Sequence, residues 1–163
     1  VTNRIKIKTG IGFDAHRFTN DTPLVLGGVE IPYSKGLAGH SDADVLIHAI
    51  IDSLAGAGLG VDIGTLFPDT DESYEGINSG ILLEKTASLI RKEDFEIGNI
   101  DAEVILEEPR LKNYIAEMRR VLAGILNIDV EDITIKSTTT EKMGFCGRKE
   151  GIAALAVCIL TKN

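Results

Sequence analysis

Apolar residues alternate loosely over residues 4 to 13, predicting a strand that leads into GFDAHRF, residues 12 to 18. PLVLGGVEIPY, 23 to 33, reads as two short strands around Gly27-Gly28, a hairpin signal. SDADVLIHAIIDSLAGAG, 41 to 58, carries helical periodicity. Ser41 followed by Asp44 fits a capping pattern at its start, and Gly56 and Gly58 mark its stop. On that helix Asp44, His48 and Asp52 fall on one side. Residues 60 to 76 are polar, Gly-rich and acidic, and read as a long loop.

A second amphipathic helix is predicted over 78 to 93, with Leu82, Leu89 and Ile90 inward. AEVILEEP, 102 to 109, reads as a strand ended by Pro109. Leu111, Ile115, Met118, Leu122 and Ile125 then follow helical spacing. ITIKSTTTE, 133 to 141, is a β-branched strand. GIAALAVCIL, 151 to 160, is apolar on both faces and should be a strand that is buried or covered by an interface. Strands and helices alternate, giving a layered α/β fold. With 163 residues and no repeat or linker, one domain over 1–163 is expected.

Composition narrows the partners. Apolar residues are 44% of the chain but aromatics only 5%, so the core must be aliphatic. No apolar run approaches the roughly 20 residues that span a bilayer, so no membrane partner is expected. A net charge of -8 argues against nucleic acid, which requires clustered Lys and Arg, yet leaves room for a small phosphorylated ligand. Cys146 and Cys158 read as free thiols in a reducing compartment.

Three features carry chemistry. Asp14 and His16 are two apart in a predicted strand and share a face, which could meet solvent, a hydrogen-bond partner or a metal. All three histidines, His16, His40 and His48, lie within residues 16 to 48. Asp14, His16 and His48 together would give three ligands and an open position, as in catalytic zinc sites. KSTTTEK, 136 to 142, offers three hydroxyls and Glu141, suited either to strand propensity or to phosphate and a hard cation. Asp62, Asp69 and Asp71 surround FPDTD, either as solvated charges or as acceptors for a polyol.

GFDAHRF, LGGVEIP, HSDADVLIHAIIDSLAGAGLGVDIG, LFPDTD, KSTTTEK and GFCGRKEGIA stand in the order found in one family. From about residue 10 to 160 the chain resembles the 2-C-methyl-D-erythritol 2,4-cyclodiphosphate synthases of the non-mevalonate isoprenoid pathway. The resemblance implies a mixed β-sheet with helices on one face, a small β-hairpin, and a homotrimer whose sheets face the threefold axis. It implies conversion of 4-diphosphocytidyl-2-C-methyl-D-erythritol 2-phosphate to the cyclic diphosphate with release of CMP. Asp14, His16 and His48 match the family's zinc ligands, and Glu141 the ligand of a second ion, Mg²⁺ or Mn²⁺. His40 and Thr139 match the positions that polarise the phosphates.

The matching substrate segments supply Ser41, Asp62, Ile63, Gly64, Phe67, Pro68, Asp69, Thr70 and Asp71 around the methylerythritol. Leu106, Glu107, Glu108, Pro109, Arg110, Leu111 and Lys112 match the cytosine pocket; Thr138, Thr140, Phe145 and Arg148 complete the set. Phe13 and Arg148 match a cavity on the threefold axis that takes isoprenoid diphosphates. Leu155 stands there where some members have Glu, and Arg110 where Lys is common. Two other readings compete: a metal-dependent phosphohydrolase, and a non-catalytic nucleotide- or isoprenoid-binding module. The expected location is the bacterial cytoplasm, or a plastid stroma if a transit peptide preceded the first residue, which is not Met.

Overall fold

A computed structural model describes residues 5–68, 70–74 and 76–162. Five strands form one mixed sheet: β1 (Lys6–Thr19), β4 (Gly36–Leu37), β5 (Glu96–Ile105), β6 (Ile133–Thr138) and β7 (Gly151–Lys162), in the order β4-β1-β7-β5-β6. Only β5 and β6 are parallel, and they are joined through helix α4 (Ile115–Leu126), as a parallel pair requires. β2 (Leu24–Leu26) and β3 (Val29–Ile31) form a separate hairpin. Its two-residue loop is Gly27-Gly28, with φ of 58° and 74°, the left-handed pair that a tight hairpin turn demands.

Helix α1 (Val45–Leu59) crosses β1 and β7 with almost no side chain between the two backbones. A Cβ on Gly10 would lie 1.9 Å from the Ser53 carbonyl oxygen, and one on Gly12 2.0 Å from that of Ala49. Glycine at these two positions is what lets helix and strand approach so closely. Ile152, Ala154, Ala156, Cys158 and Leu160 of β7 point into the same layer and are buried. Helix α3 (Ser79–Lys92) packs on α1, and α4 packs on α3 and β6, so the long helices share one face. The core is aliphatic, and both cysteines are free and buried.

The opposite face is uncovered. Ile11 is 68% exposed, Phe13 57% and Val157 41%, and Ile11 pairs with Val157 across the β1–β7 ladder. Thus the strand over 151 to 160 is buried on both faces only at its start, Gly151 to Ala154; beyond that its second face, Leu155, Val157 and Ile159, is half-buried or exposed.

Several boundaries move. β1 runs from Lys6 on to Thr19, past the expected end at residue 13, and carries Asp14 and His16 well within it. Ser41 does not cap α1; Asp44 does, accepting from the Ile47 amide, and the helix passes Gly56 and Gly58 to end at left-handed Gly60. The loop over 60 to 76 contains a helical turn, α2 (Ile63–Leu66), and a 3-10 turn (Glu72–Tyr74). In α3 the inward set is Leu82, Leu83, Thr86, Ala87 and Ile90, whereas Leu89 is half-buried. β5 begins six residues earlier than predicted and ends at Ile105, well before Pro109. Leu111 is buried but precedes α4, and β6 stops at Thr138, leaving Thr139 to Glu141 in a turn.

Candidate metal centre and flanking cavities

The alternation of β1 sends Gly12, Asp14 and His16 toward α1, and the glycine lets the helix settle beside the two polar side chains. His48 lies one turn into α1 and reaches them. His16 Nε2 is 2.8 Å from Asp14 Oδ2, His48 Nδ1 is 3.0 Å from the same oxygen, and the two nitrogens are 3.1 Å apart. This is the one group of three such side chains close enough to share a metal among the described residues.

Burial would raise the Asp14 carboxyl, but the His16 imidazole bonded to it and the His48 imidazole beside it outweigh this and hold the group well below the usual carboxylate range. Burial alone would lower the His16 imidazole; its bond to Asp14 prevails and raises it. The far nitrogen of His16, Nδ1, donates to the Ala38 carbonyl at 2.8 Å, which leaves Nε2 to face the other two groups. One oxygen and two imidazole nitrogens converging, with a backbone carbonyl orienting one ring, is a donor set that suits Zn²⁺.

The three side chains form part of the wall of a cavity of about 530 Å³. His40, Ser41, Asp62, Ile63, Gly64 and Phe67, all expected around the substrate, line it too. So does Phe13, although it pairs with Leu155 on the uncovered sheet face. Asp62 is the cap of α2, accepting from the Thr65 amide at 2.8 Å. Pro68, Thr70 and Asp71 lie further along the loop and do not line the cavity, and Asp69 lies outside the described residues. Asp71 accepts from the Ser73 amide at 3.0 Å, which turns the loop.

A second cavity, of about 400 Å³, is separate from the first. Leu106, Glu107, Pro109, Arg110, Leu111 and Lys112 line it together with Thr138 and Thr139, bringing the segment expected to receive the cytosine beside the one expected to polarise phosphates. Glu107 Oε1 accepts from the Thr140 amide at 3.3 Å and the Lys142 amide at 3.1 Å, pinning the turn that carries Glu141. Glu141 is exposed with φ of 52°, borders neither cavity, and is no part of the Asp14 cluster. Glu108 instead pairs with Lys149 at 2.7 Å, and Arg148 with Glu150 at 2.7 Å. Thr140, Phe145 and Leu155 border neither cavity.

Sequence reasoning missed Asp52, Tyr74 and Leu82 in the first cavity, and Ser79 against His48. Asp52 stood on the polar side of the predicted helix and could have been found. The other three are contributed by separate elements and left no local signal.

Similarity to known proteins is extensive. The YgbB family model matches residues 7–161. A 2-C-methyl-D-erythritol 2,4-cyclodiphosphate synthase of Porphyromonas gingivalis is 53% identical over 153 residues, 94% of each chain. The structure of the bifunctional IspDF of Campylobacter jejuni superposes with a TM-score of 0.94 at 43% identity, over 98% of this chain and 43% of that one. The IspF of Plasmodium falciparum, solved as a CDP complex, gives 0.84 at 39% identity over 96% of this chain and 97% of that one.

Proposed function

The chain belongs to the YgbB family, and from that membership we propose that it makes 2-C-methyl-D-erythritol 2,4-cyclodiphosphate, the reaction for which its relatives are named. The observation that carries the reading is the convergence of Asp14, His16 and His48 at the wall of the first cavity.

The substrate is 4-diphosphocytidyl-2-C-methyl-D-erythritol 2-phosphate. Its own 2-phosphate oxygen attacks the β-phosphorus, the bond from that phosphorus to the CMP oxygen breaks, and CMP departs with the electron pair. No external nucleophile enters, so the protein's task is to fold the substrate until attack is in line. Asp14, His16 and His48 would hold zinc, and Glu141 would hold Mg²⁺ or Mn²⁺; bound there, the ions would supply Lewis acidity to the phosphate oxygens. The His40 ring and the Thr139 hydroxyl donate to phosphate oxygens as charge shifts between them. Asp62 and the backbone of Ile63 and Gly64 face the polyol, and residues 106–112 enclose the cytosine. The CDP in the Plasmodium falciparum complex supports a cytidine ligand.

Zinc-side and nucleotide-side residues lie on separate cavities of one chain. That separation, with the uncovered apolar face of β1 and β7, supports a homotrimer in which each cleft joins halves from two subunits. Among the described residues no helix is long and apolar enough to cross a membrane. The bacterial relatives support a reaction in the cytoplasm.

Phosphorus NMR of the purified protein with substrate and both metals tests the reading. The expected products are the cyclic diphosphate and CMP in equal amounts. A linear phosphate product would establish a hydrolase and overturn it.

A further inference from the structure

Ser79 is fully buried at the start of α3, and its hydroxyl does more than fill space. The hydroxyl donates to Asp42 Oδ1 in a short hydrogen bond, while the Ser79 amide donates to Asp42 Oδ2 at 3.0 Å. With its one proton committed to Asp42, the oxygen faces His48 Nε2, at 3.0 Å, as an acceptor only. Facing that acceptor, Nε2 is the nitrogen that carries the imidazole proton. Ser41 Oγ lies 2.9 Å from the same nitrogen and 3.3 Å from Ser79 Oγ; with the Ser79 proton on Asp42, Ser41 donates to Ser79 and accepts from Nε2 alongside it. His48 Nδ1 is left unprotonated, facing Asp14 and His16.

We propose that Ser79, oriented by Asp42, is a positioning residue that fixes His48 in the tautomer whose Nδ1 lone pair faces the metal. The inference rests on the metal reading of Asp14, His16 and His48. Elsewhere carboxylates orient metal-bound histidines directly; here a hydroxyl intervenes. The relay also ties the site to α3: a shift of its first turn would turn the His48 ring.

The bland alternative is that Asp42 and Ser79 merely tie α3 to the preceding loop. Zinc affinity of the metal-stripped protein, measured by competition with a chromophoric chelator, separates the two. Ser79→Ala should weaken zinc by about 10- to 100-fold, the range for outer partners of metal ligands. The thermal midpoint of the metal-free protein should stay within a few degrees of the parent. Nitrogen NMR of the metal-free parent should show His48 protonated at Nε2, with a larger share of the Nδ1-protonated form in the variant. Asp42→Asn is the second variant, needed if Ser79→Ala does not fold. Asp42 Oδ1 also accepts from the Asp44 amide at 3.2 Å, and no carboxamide orientation can accept from all three donors. It should therefore weaken zinc in the same direction. Parent-like zinc affinity in whichever variant folds, or an Nδ1-protonated His48 in the parent, overturns the proposal. His48→Ala, run beside them, isolates the premise: zinc bound there as tightly as in the parent would remove the metal reading itself.

Discussion

At the residue scale, Asp44 joins two elements that the chain separates by sixteen positions. Its Oδ1 accepts from the Gly27 and Ile47 amides at 2.9 and 3.1 Å, and its Oδ2 from Gly28 at 2.7 Å. The carboxylate thus caps α1 and holds the hairpin turn. Burial pushes the group up to about 6, against the opposing pull of the three amides. Asp44→Ala is expected to lower stability by about 3 kcal/mol at pH 5, the sum of a lost cap and two orphaned amides. The folded-state value exceeds that of an unfolded Asp, so the folded protein holds a proton that the unfolded chain releases. Its contribution is then greatest below about pH 4 and declines as pH rises to about 6. Urea titrations of both proteins should show their difference narrowing over that window; a constant or widening gap would contradict the assignment. Glu141 is the opposite case, exposed and bonded only within its own turn. Glu141→Gln should leave stability unchanged but lower activity at limiting Mg²⁺ by at least about tenfold, since a direct ligand matters no less than an outer one. A magnesium titration of rate that matches the parent would exclude Glu141 as the second ligand.

At the scale of elements, the site depends on how close α1 lies to β1. Gly12→Ala must move the helix or strand, because the added methyl would fall 2.0 Å from a backbone oxygen that cannot rotate away. The expected loss is about 3 kcal/mol. Zinc affinity should fall with it, as His48 is carried away from Asp14 and His16. Retained affinity in a protein destabilised by that amount would show that the trio does not depend on this contact. Much of this scale was legible in advance. The helical period of α1, the Gly27-Gly28 turn and the strand alternation around Asp14 are local signals with local causes. The N-cap was misplaced because Ser41-x-x-Asp44 imitates a capping box, whereas the acid itself is the cap. The early part of β5 was missed because EIGNID mixes polar residues and glycine into an edge of the apolar pattern. The Ser79 contact was beyond reading, since thirty-one positions separate it from His48. For the same reason, the spacing of Asp14, His16 and His48 alone left solvent, hydrogen bond and metal open; only the packing of α1 on β1 brought the third side chain in.

At the scale of the whole molecule, the two cavities should act together only across subunits. His48→Ala and Thr139→Ala should each be nearly inactive alone. Mixed under conditions that allow subunit exchange, they should regain a fraction of parental activity, because some clefts combine an intact zinc side with an intact nucleotide side. No recovery, with exchange confirmed by mass spectrometry, would place each complete site within one chain. The sheet itself has a consequence for biosynthesis. β7 follows every other strand in the sequence yet lies at the centre of the sheet, between β1 and β5, with Lys6 paired to Lys162. Until β7 leaves the ribosome, β1 and β5 have no common partner, and the apolar side of α1 lacks half of its floor. Such a chain cannot mature strand by strand as it is translated. It must wait for β7, and closing so distant a pairing is slow. The order of the strands therefore leaves the apolar face of α1 partly uncovered until β7 arrives.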